Sequence, residues 1–358
     1  MQLSVLLPTH RSDLTAISRI AQVCSWAGPN IEVVVRDNSG DAKKRDVIAL
    51  FQSERCKVIS VDPCAPLENF STLLRLAKGD FIFWPADDDF AFDRAIRAIS
   101  DVLEKSGKDP SVAGVSGLYV VETSYCSSIA NYTGIDSDDP LARVVGYLGY
   151  GGPNVFTYSV LRRQVAERTY KLLTSMPFYL SFHDQIQSLL FLMSGKFIQL
   201  SRLLYAYDMG AWEAADTAQA KDIEYYRNAG LDPVVNKLHW FLCGFEGATL
   251  IRNADAFSHY PLNMRQAVAD RWFSLFFLRF RDQPRLPFES PFLAGAARIC
   301  DKLKSSNGQL SFQDMLVEIR NLFALSSPAH AQKYFDFWDA IINRRQSAPL
   351  PMAEAGGR

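Results

Sequence analysis

Short apolar runs alternate with amphipathic stretches over about the first 120 residues. The apolar runs are LSVLLP, IEVVVRD, KVISVD and FIFWPAD. Each is followed by a stretch in which apolar residues return every three or four positions, the spacing of a helix that covers a core. A βαβα order of this kind predicts an α/β fold, Rossmann-like, with a mostly parallel sheet flanked by helices.

The pattern is less regular after residue 110. GVSGLYVVETSY predicts a strand, residues 131–163 predict a long loop that leads into another β run, and SFHDQIQSLLFLMSG predicts a helix that ends at Gly195. KFIQLSRLLYAYD predicts a final strand or strand pair.

From about residue 211 the β signals disappear and helical periodicity continues to about residue 345. We therefore predict an α/β domain at 1–210 and an α-helical C-terminal domain at 211–346. The tail, 347–358, is rich in small residues, Pro and Gly, and is predicted to be disordered.

Composition narrows the classes of partner. The 38 Lys and Arg residues and 39 Asp and Glu residues give a net charge of −1, which provides no overall attraction to nucleic acid. The six cysteines contain no C-x-x-C pair, so the sequence predicts neither a zinc site nor a disulfide framework. This pattern is typical of a reducing, cytoplasmic environment.

No window reaches the run of about 18 uncharged apolar residues that a membrane-spanning helix needs. The N-terminus, MQLSVLLPTHRSD, lacks a basic flank and cleavage site and is predicted to be the first strand. In WFSLFFLRF, Phe273, Phe276, Phe277 and Phe280 recur at helical spacing. This stripe favours a core face, and it leaves open a homo-oligomer contact through the helical domain or peripheral contact with the inner face of a membrane.

Three consecutive aspartates, Asp87, Asp88 and Asp89, follow the fourth apolar run. If the chain stays extended, side chains alternate, so that Asp87 and Asp89 face one side and form a two-carboxylate clamp. Mg²⁺ and Mn²⁺ prefer oxygen ligands and often keep positions for water and substrate phosphates. The alternative is an acidic turn in which Asp89 or Asp93 caps the next helix.

Other polar residues end the preceding strands: Thr9, His10 and Arg11 after the first, and Asp37 after the second. Open α/β sheets bind ligands at the carboxyl ends of their strands. Asp37 is suited to accept hydrogen bonds from a base or a ribose, although D-N-S-G also favours a plain turn.

These segments, in the order LSVLLPTHR, IEVVVRDNSGD and LRLAKGDFIFWPADDD, resemble the N-terminal half of glycosyltransferase family 2, whose members have a GT-A fold. The resemblance covers about the first 120 residues well and extends more loosely to about residue 210. It implies an inverting enzyme that moves a sugar from a nucleotide-diphosphate donor to a hydroxyl of a glycan or lipid-linked acceptor.

The resemblance also implies roles for particular residues. Pro8, Thr9 and Arg11 match the segment that lies near the nucleotide. Asp37 matches the aspartate that contacts uracil, which favours a UDP-sugar.

The aspartate run matches the motif that holds Mn²⁺ or Mg²⁺ on the donor diphosphate. The common form of the motif, D-A-D-D, would have its first aspartate at Ala86, and this sequence instead resembles the subgroup with G-D-D-D or S-D-D-D. We therefore assign Asp87 and Asp89 to the metal and Asp87 and Asp88 to the donor, with Asp88 as a competitor for the metal.

Asp184, in SFHDQIQ, matches the acidic residue that acts as general base in this family, with His183 in place of the usual glutamate. An acceptor hydroxyl is a poor nucleophile until a carboxylate takes its proton. Ser181 and Asp184 also fit a capping box, in which Ser181 would be the N-cap of the helix.

Two other functions remain open. A nucleotidyltransferase-type enzyme also uses an α/β sheet with aspartates, but LLPTHRSD lacks the glycine-rich phosphate loop expected there. The second alternative is a non-catalytic sugar- or nucleotide-binding scaffold. The presence of both the aspartate run and Asp184 argues against it.

Overall fold

The computed structural model describes residues 2–151, 153–210, 214–284 and 291–343. The predicted tail, 347–358, lies outside these residues. The chain divides into two compact units, Met1–Ser175 with Gln187–Gln219, and Met176–Ile186 with Ala220–Arg358.

The first unit contains one sheet and the helices that cover it. Its strands are β1 Leu3–Thr9, β2 Ile31–Asp37, β3 Cys56–Ser60, β4 Phe81–Phe83, β5 Phe90–Ala91, β6 Val112–Glu122, β7 Ser127–Ala130, β8 Val160–Arg162 and β9 Lys196–Asp208. The helices up to residue 194 are α1 Leu14–Cys24, α2 Ala42–Ala49, α3 Pro66–Leu76, α4 Asp93–Ser106, α5 Pro140–Tyr150, α6 Arg163–Ser175 and α7 His183–Ser194.

The strand order is β3-β2-β1-β4-β8-β6-β9-β5, with β7 paired to β6. The long pairings, β1 with β2, β2 with β3, and β6 with β9, are parallel, whereas the antiparallel pairings of β4, β5, β6 and β7 are short. This mixed sheet with flanking helices confirms the predicted α/β class.

The apolar residues of β1 lie at the centre of the sheet. Leu3, Val5, Leu6 and Leu7 are all buried, because helices cover both faces of a parallel sheet and leave neither face to water. Gly79, before β4, approaches β1 so closely that a Cβ atom would lie 2.7 Å from the backbone nitrogen of Ser4. Only glycine therefore allows β4 to pair beside β1.

The connections place a crevice at the ends of β1 and β4. From β1 the chain moves outward through β2 and β3, and then returns to the other side of β1 as β4. The loops after β1 and β4 consequently leave the sheet in opposite directions. A change of direction of this kind is where open α/β sheets bind their ligands.

One prediction for the middle of the chain is wrong. Residues 131–163 are not one long loop, because α5 occupies Pro140–Tyr150. Asp139 caps this helix by accepting a hydrogen bond from the backbone N–H of Leu141, and Pro140 is in its first turn. Both are ordinary signals of a helix start.

The second unit is helical over the residues that the structure describes. Its helices after α7 are α8 Ala215–Asn228, α9 His239–Asn253, α10 Leu262–Arg281, α11 Pro291–Ser305, α12 Phe312–Ala324 and α13 Pro328–Asn343. The division between the units falls inside α7 and inside α8.

The core of the second unit is aromatic. Phe273, Phe276, Phe277 and Phe280 of α10 are all buried, which agrees with the interpretation of this stripe as a core face. Within the described parts of the chain, no helix is both long and apolar enough to cross a bilayer.

Candidate active site

The three aspartates lie on a bend and not on an extended strand. β4 ends at Phe83 and β5 begins at Phe90, so the chain between them turns from the centre of the sheet towards β9. The alternation that predicted a clamp of Asp87 and Asp89 does not apply to such a bend. The three side chains reach different surroundings.

Asp87 faces the end of β1. Its Oδ2 atom accepts a hydrogen bond of 2.6 Å from the Thr9 hydroxyl, and it lies 3.3 Å from the backbone nitrogens of both His10 and Arg11. The carboxylate is buried. It therefore fixes the loop after β1 at the crevice.

Asp89 faces the end of β9. Its carboxylate accepts hydrogen bonds from the Tyr205 hydroxyl at 3.0 Å and from the backbone N–H of Asp208 at 2.9 Å. Tyr205 in turn accepts one from the backbone N–H of Ala86, at 2.9 Å. Burial raises the pKa of Asp89 to about 7. This network fixes the bend on the far side of the aspartate run.

Asp88 is the aspartate whose side chain reaches solvent, with 40% of it exposed. Arg11 lies beside it, with Nη2 2.5 Å from Asp88 Oδ2. Burial of part of the carboxyl raises its pKa, the charge of Arg11 opposes that shift, and the charge of Asp87 adds to it. Arg11 therefore offsets only part of the cost of burying the charged Asp88 carboxylate.

Asp37 is buried beside Thr9, its direct neighbour across the β1–β2 pairing. Its Oδ1 accepts a hydrogen bond of 2.8 Å from the ammonium of Lys44, and its carboxylate also accepts from the backbone and hydroxyl of Ser39. Lys44 donates a second hydrogen bond to the Thr9 hydroxyl, at 2.7 Å.

These contacts join the ends of three strands. A continuous set of hydrogen bonds runs from Asp37 through Lys44 and Thr9 to Asp87. Lys44, whose side chain has no exposed surface, was not among the site residues predicted from the sequence. The available signal was Asp41, which caps α2 and places Lys44 in its first turn, over the end of β2.

The remaining predicted residues of this edge are arranged around the same crevice. Pro8 is half-buried on β1 and pairs with Arg36 of β2, and Arg11 is exposed after the strand. The structure thus brings Pro8, Thr9, Arg11, Asp37 and the aspartate run together at the carboxyl edge of the sheet.

This edge provides few ligands for a cation. Over the described ranges, no group of three His, Cys, Asp or Glu side chains is placed to hold a metal. The Asp87 and Asp89 carboxylates are buried, whereas that of Asp88 projects towards solvent. One carboxylate fits a divalent cation whose other ligands are water and substrate phosphates.

In the second unit, Asp184 lies in the first turn of α7 and is half-buried. Its Oδ1 accepts a hydrogen bond of 2.6 Å from the backbone N–H of Gln185. A carboxylate at a helix N-terminus is stabilised in its charged form by the helix dipole. Burial and then the charge of Asp184 raise the pKa of Tyr225, on α8, so this phenol lies near the carboxylate.

Ser181 does not lie at the N-cap of α7, the position that the capping-box alternative requires. α7 begins at His183, which puts Phe182 and not Ser181 at the position before the first turn. The Ser181 hydroxyl lies instead 3.5 Å from Nδ1 of His239.

The burial of His239 predicts a pH-dependent stability. Burial lowers the pKa of His239 to about 4, so below pH 6.5 the unfolded chain binds a proton that the folded chain does not. The free energy of unfolding should therefore fall by about 1 to 2 kcal/mol between pH 7 and pH 5 through this group alone. Urea titrations at the two pH values will measure it, and His239→Gln should reduce the difference. An unchanged difference would place the effect on other groups.

No protein-family model matches the chain, and no curated protein matches it in sequence. Among solved structures, S. aureus TarS is 12% identical with a TM-score of 0.53, a match that covers 95% of this chain and 55% of TarS. The present chain thus spans about half the length of that structure. For TarS residues 1–349 the identity is 14% and the TM-score 0.49, with 97% of this chain and 92% of the other covered.

A mannosyltransferase, PcManGT from Pyrobaculum calidifontis, solved with GDP-Man and Mn²⁺, is 15% identical with a TM-score of 0.46. The match covers 97% of this chain and 88% of the mannosyltransferase. At such identities the similarity concerns the fold, and it is the full TarS structure that supports it.

Proposed function

We propose that the protein is an inverting, metal-dependent glycosyltransferase that uses a nucleotide-sugar donor. The observation that carries the proposal is the crevice at the ends of β1, β2 and β4, where one hydrogen-bonded network joins Asp37, Thr9 and Asp87. TarS, which has a similar fold, has also been solved with UDP-GlcNAc, which supports a donor of this class.

The nucleotide would lie along the edge formed by Pro8, Thr9, Arg11 and Asp37. Arg11 is exposed and carries a positive charge suited to the donor phosphates. Asp37 is the uracil contact that the resemblance implies, so we favour a UDP-sugar. Because Lys44 and Ser39 already occupy much of its carboxylate, its contact with the base would be limited to the remaining lone pairs.

A divalent cation, Mn²⁺ or Mg²⁺, would neutralise charge on the leaving diphosphate. The initial assignment of the metal to Asp87 and Asp89 remains a prediction, and the exposure of Asp88 favours that residue as the ligand. Asp87 and Asp89 would then hold the bend in place from its two sides.

Asp184 would act as the general base. It would accept the proton of an acceptor hydroxyl on a glycan or lipid-linked sugar while the new bond to the anomeric carbon forms. Attack opposite the departing diphosphate inverts the anomeric configuration.

A thermal-shift screen of nucleotide sugars tests the donor and the metal together. We expect UDP-sugars with Mn²⁺ to raise the melting temperature, because a ligand that binds the native state stabilises it, and we expect EDTA to remove the metal-dependent part. Asp88→Asn should lose that part, and Asp46→Asn, which changes an aspartate with 78% of its side chain exposed, should keep it.

Two results would contradict this assignment. If Asp89→Asn abolished the Mn²⁺ response while Asp88→Asn preserved it, the metal ligands would be Asp87 and Asp89, as first predicted. If no nucleotide or nucleotide sugar changed the melting temperature with or without metal, the proposed donor class would be wrong.

A further inference from the structure

Three buried polar side chains from three helices meet inside the second unit. They are His183, the first residue of α7, Glu246 in the middle of α9, and Tyr334 of α13. His183 Nε2 lies 3.2 Å from one carboxylate oxygen of Glu246, and the Tyr334 hydroxyl donates a 2.8 Å hydrogen bond to the other.

The surroundings of Glu246 are apolar. Phe245, Ala248 and Leu250, on the same helix, have no exposed surface, and Glu246 itself is 2% exposed. Moving a carboxylate into such a core costs several kcal/mol, and well-packed apolar residues are often as stable as a buried ion pair. The stability of the fold alone therefore gives little reason for a carboxylate at this position.

Both nitrogens of the His183 imidazole ring face polar groups of the protein. Nδ1 lies 2.8 Å from the backbone nitrogen and 3.0 Å from the carbonyl oxygen of Leu180, and Nε2 faces Glu246. The contact with Glu246 is electrostatic and is not aligned as a hydrogen bond. Leu180 and Glu246 thus lie at the two ring nitrogens, and the rings of Tyr179 and Phe182 stack on the imidazole.

The residue next to this ring is Asp184. Aromatic contacts hold the segment that precedes α7, because the Phe178 ring stacks on Tyr334 and the Phe182 ring packs edge-on against His239. Glu246 adds a charged contact at His183 itself, the first residue of α7.

We propose that Glu246, acting through His183, is a positioning residue that sets the orientation of Asp184 at the start of α7. The inference rests on the proposed function, in which Asp184 takes the acceptor proton. A general base displaced by about 1 Å can cost 10²-fold in rate, so a distant carboxylate that prevents such a displacement has a measurable effect.

The test compares Glu246→Gln with Glu318→Gln in the full-length chain. Gln keeps the size of the side chain and an acceptor for Tyr334 while it removes the charge that attracts His183. Glu318 is the matched control, because it is also a buried glutamate of this unit and pairs with Lys302.

Two readouts are needed. For Glu246→Gln we expect kcat for sugar transfer to fall about 10- to 100-fold with an unchanged KM for the nucleotide sugar. We also expect faster amide hydrogen exchange at residues 184–186. Glu318→Gln should show neither change.

The outcomes separate the two levels of the proposal. If Glu246→Gln keeps its kcat, or loses kcat with no change in exchange at 184–186, the positioning role is wrong. If the wild-type chain transfers no sugar from any donor, the proposed function fails and the catalytic part of this inference fails with it. The exchange result still shows in that case whether Glu246 holds the first turn.

Discussion

Asp184→Asn should lower kcat by about 10²- to 10⁴-fold, the range that general-base catalysis supplies. Asn keeps an oxygen that can accept the hydrogen bond from Gln185, so the first turn of α7 should remain intact. It cannot, however, take a proton from the acceptor hydroxyl. Initial rates at saturating donor will measure the loss.

Donor binding should be unaffected by this change. The melting-temperature rise caused by the nucleotide sugar should equal that of the wild type, and Asp270→Asn, which alters an aspartate on the surface of the same unit, should keep full activity. An Asp184→Asn enzyme that binds donor normally and turns over at the wild-type rate would remove Asp184 from the mechanism.

Lys44→Met should destabilise the protein by about 3 to 5 kcal/mol, the cost of leaving a buried charge without its partner. The ammonium of Lys44 has no exposed surface and is bonded to both Asp37 and Thr9. Without it, the Asp37 carboxylate stays buried and the Thr9 hydroxyl loses a donor. Urea titration of the purified variant will give the free energy of unfolding.

A double-mutant cycle separates the lost pair from lost packing. Lys44→Met combined with Asp37→Asn removes both charges, so it should recover most of the stability that Lys44→Met loses. Lys43→Met is the control, because the neighbouring lysine is exposed. If Lys44→Met is no more harmful than Lys43→Met, the network does not hold the crevice together.

Much of the architecture could be predicted because it depends on local patterns. LSVLLP, IEVVVRD and KFIQLSRLLYAYD became β1, β2 and β9, since runs of apolar or β-branched residues report burial directly. The helix over SFHDQIQSLLFLMSG and the helical region after residue 211 followed from the 3.6-residue period in the same way.

The directions of the side chains in the aspartate run could not be predicted, because their partners are distant in the chain. Asp87 is fixed by Thr9, 78 positions earlier, and Asp89 by Tyr205, 116 positions later. A period-two argument assumes an extended chain, and the acidic turn that PADDDF left open as the alternative did not indicate which partner each aspartate would face. The sequence located these carboxylates but not their directions.

Buried charges were missed for a different reason. Lys44 lies in AKKRD, a sequence typical of a solvent-exposed helix face. Its burial depends on the ion pair with Asp37 at the end of β2. Glu246 left a clearer signal, since a single carboxylate inside FLCGFEGATLI conflicts with an otherwise apolar helix. A charged residue inside an otherwise apolar helix is a conflict of the kind expected at functional sites.

The division of the chain inside α7 has a practical consequence for anyone who wants to shorten the protein. A cut near residue 210 would remove Phe323 and Tyr334, the ring partners of Phe178, and would leave that phenylalanine uncovered on the shorter chain. The same holds for chimeras: grafting the C-terminal helices onto a relative should also transfer residues 176–186. The segments of the two units thus alternate along the sequence, so recombination at a single point would not transfer either unit as a whole.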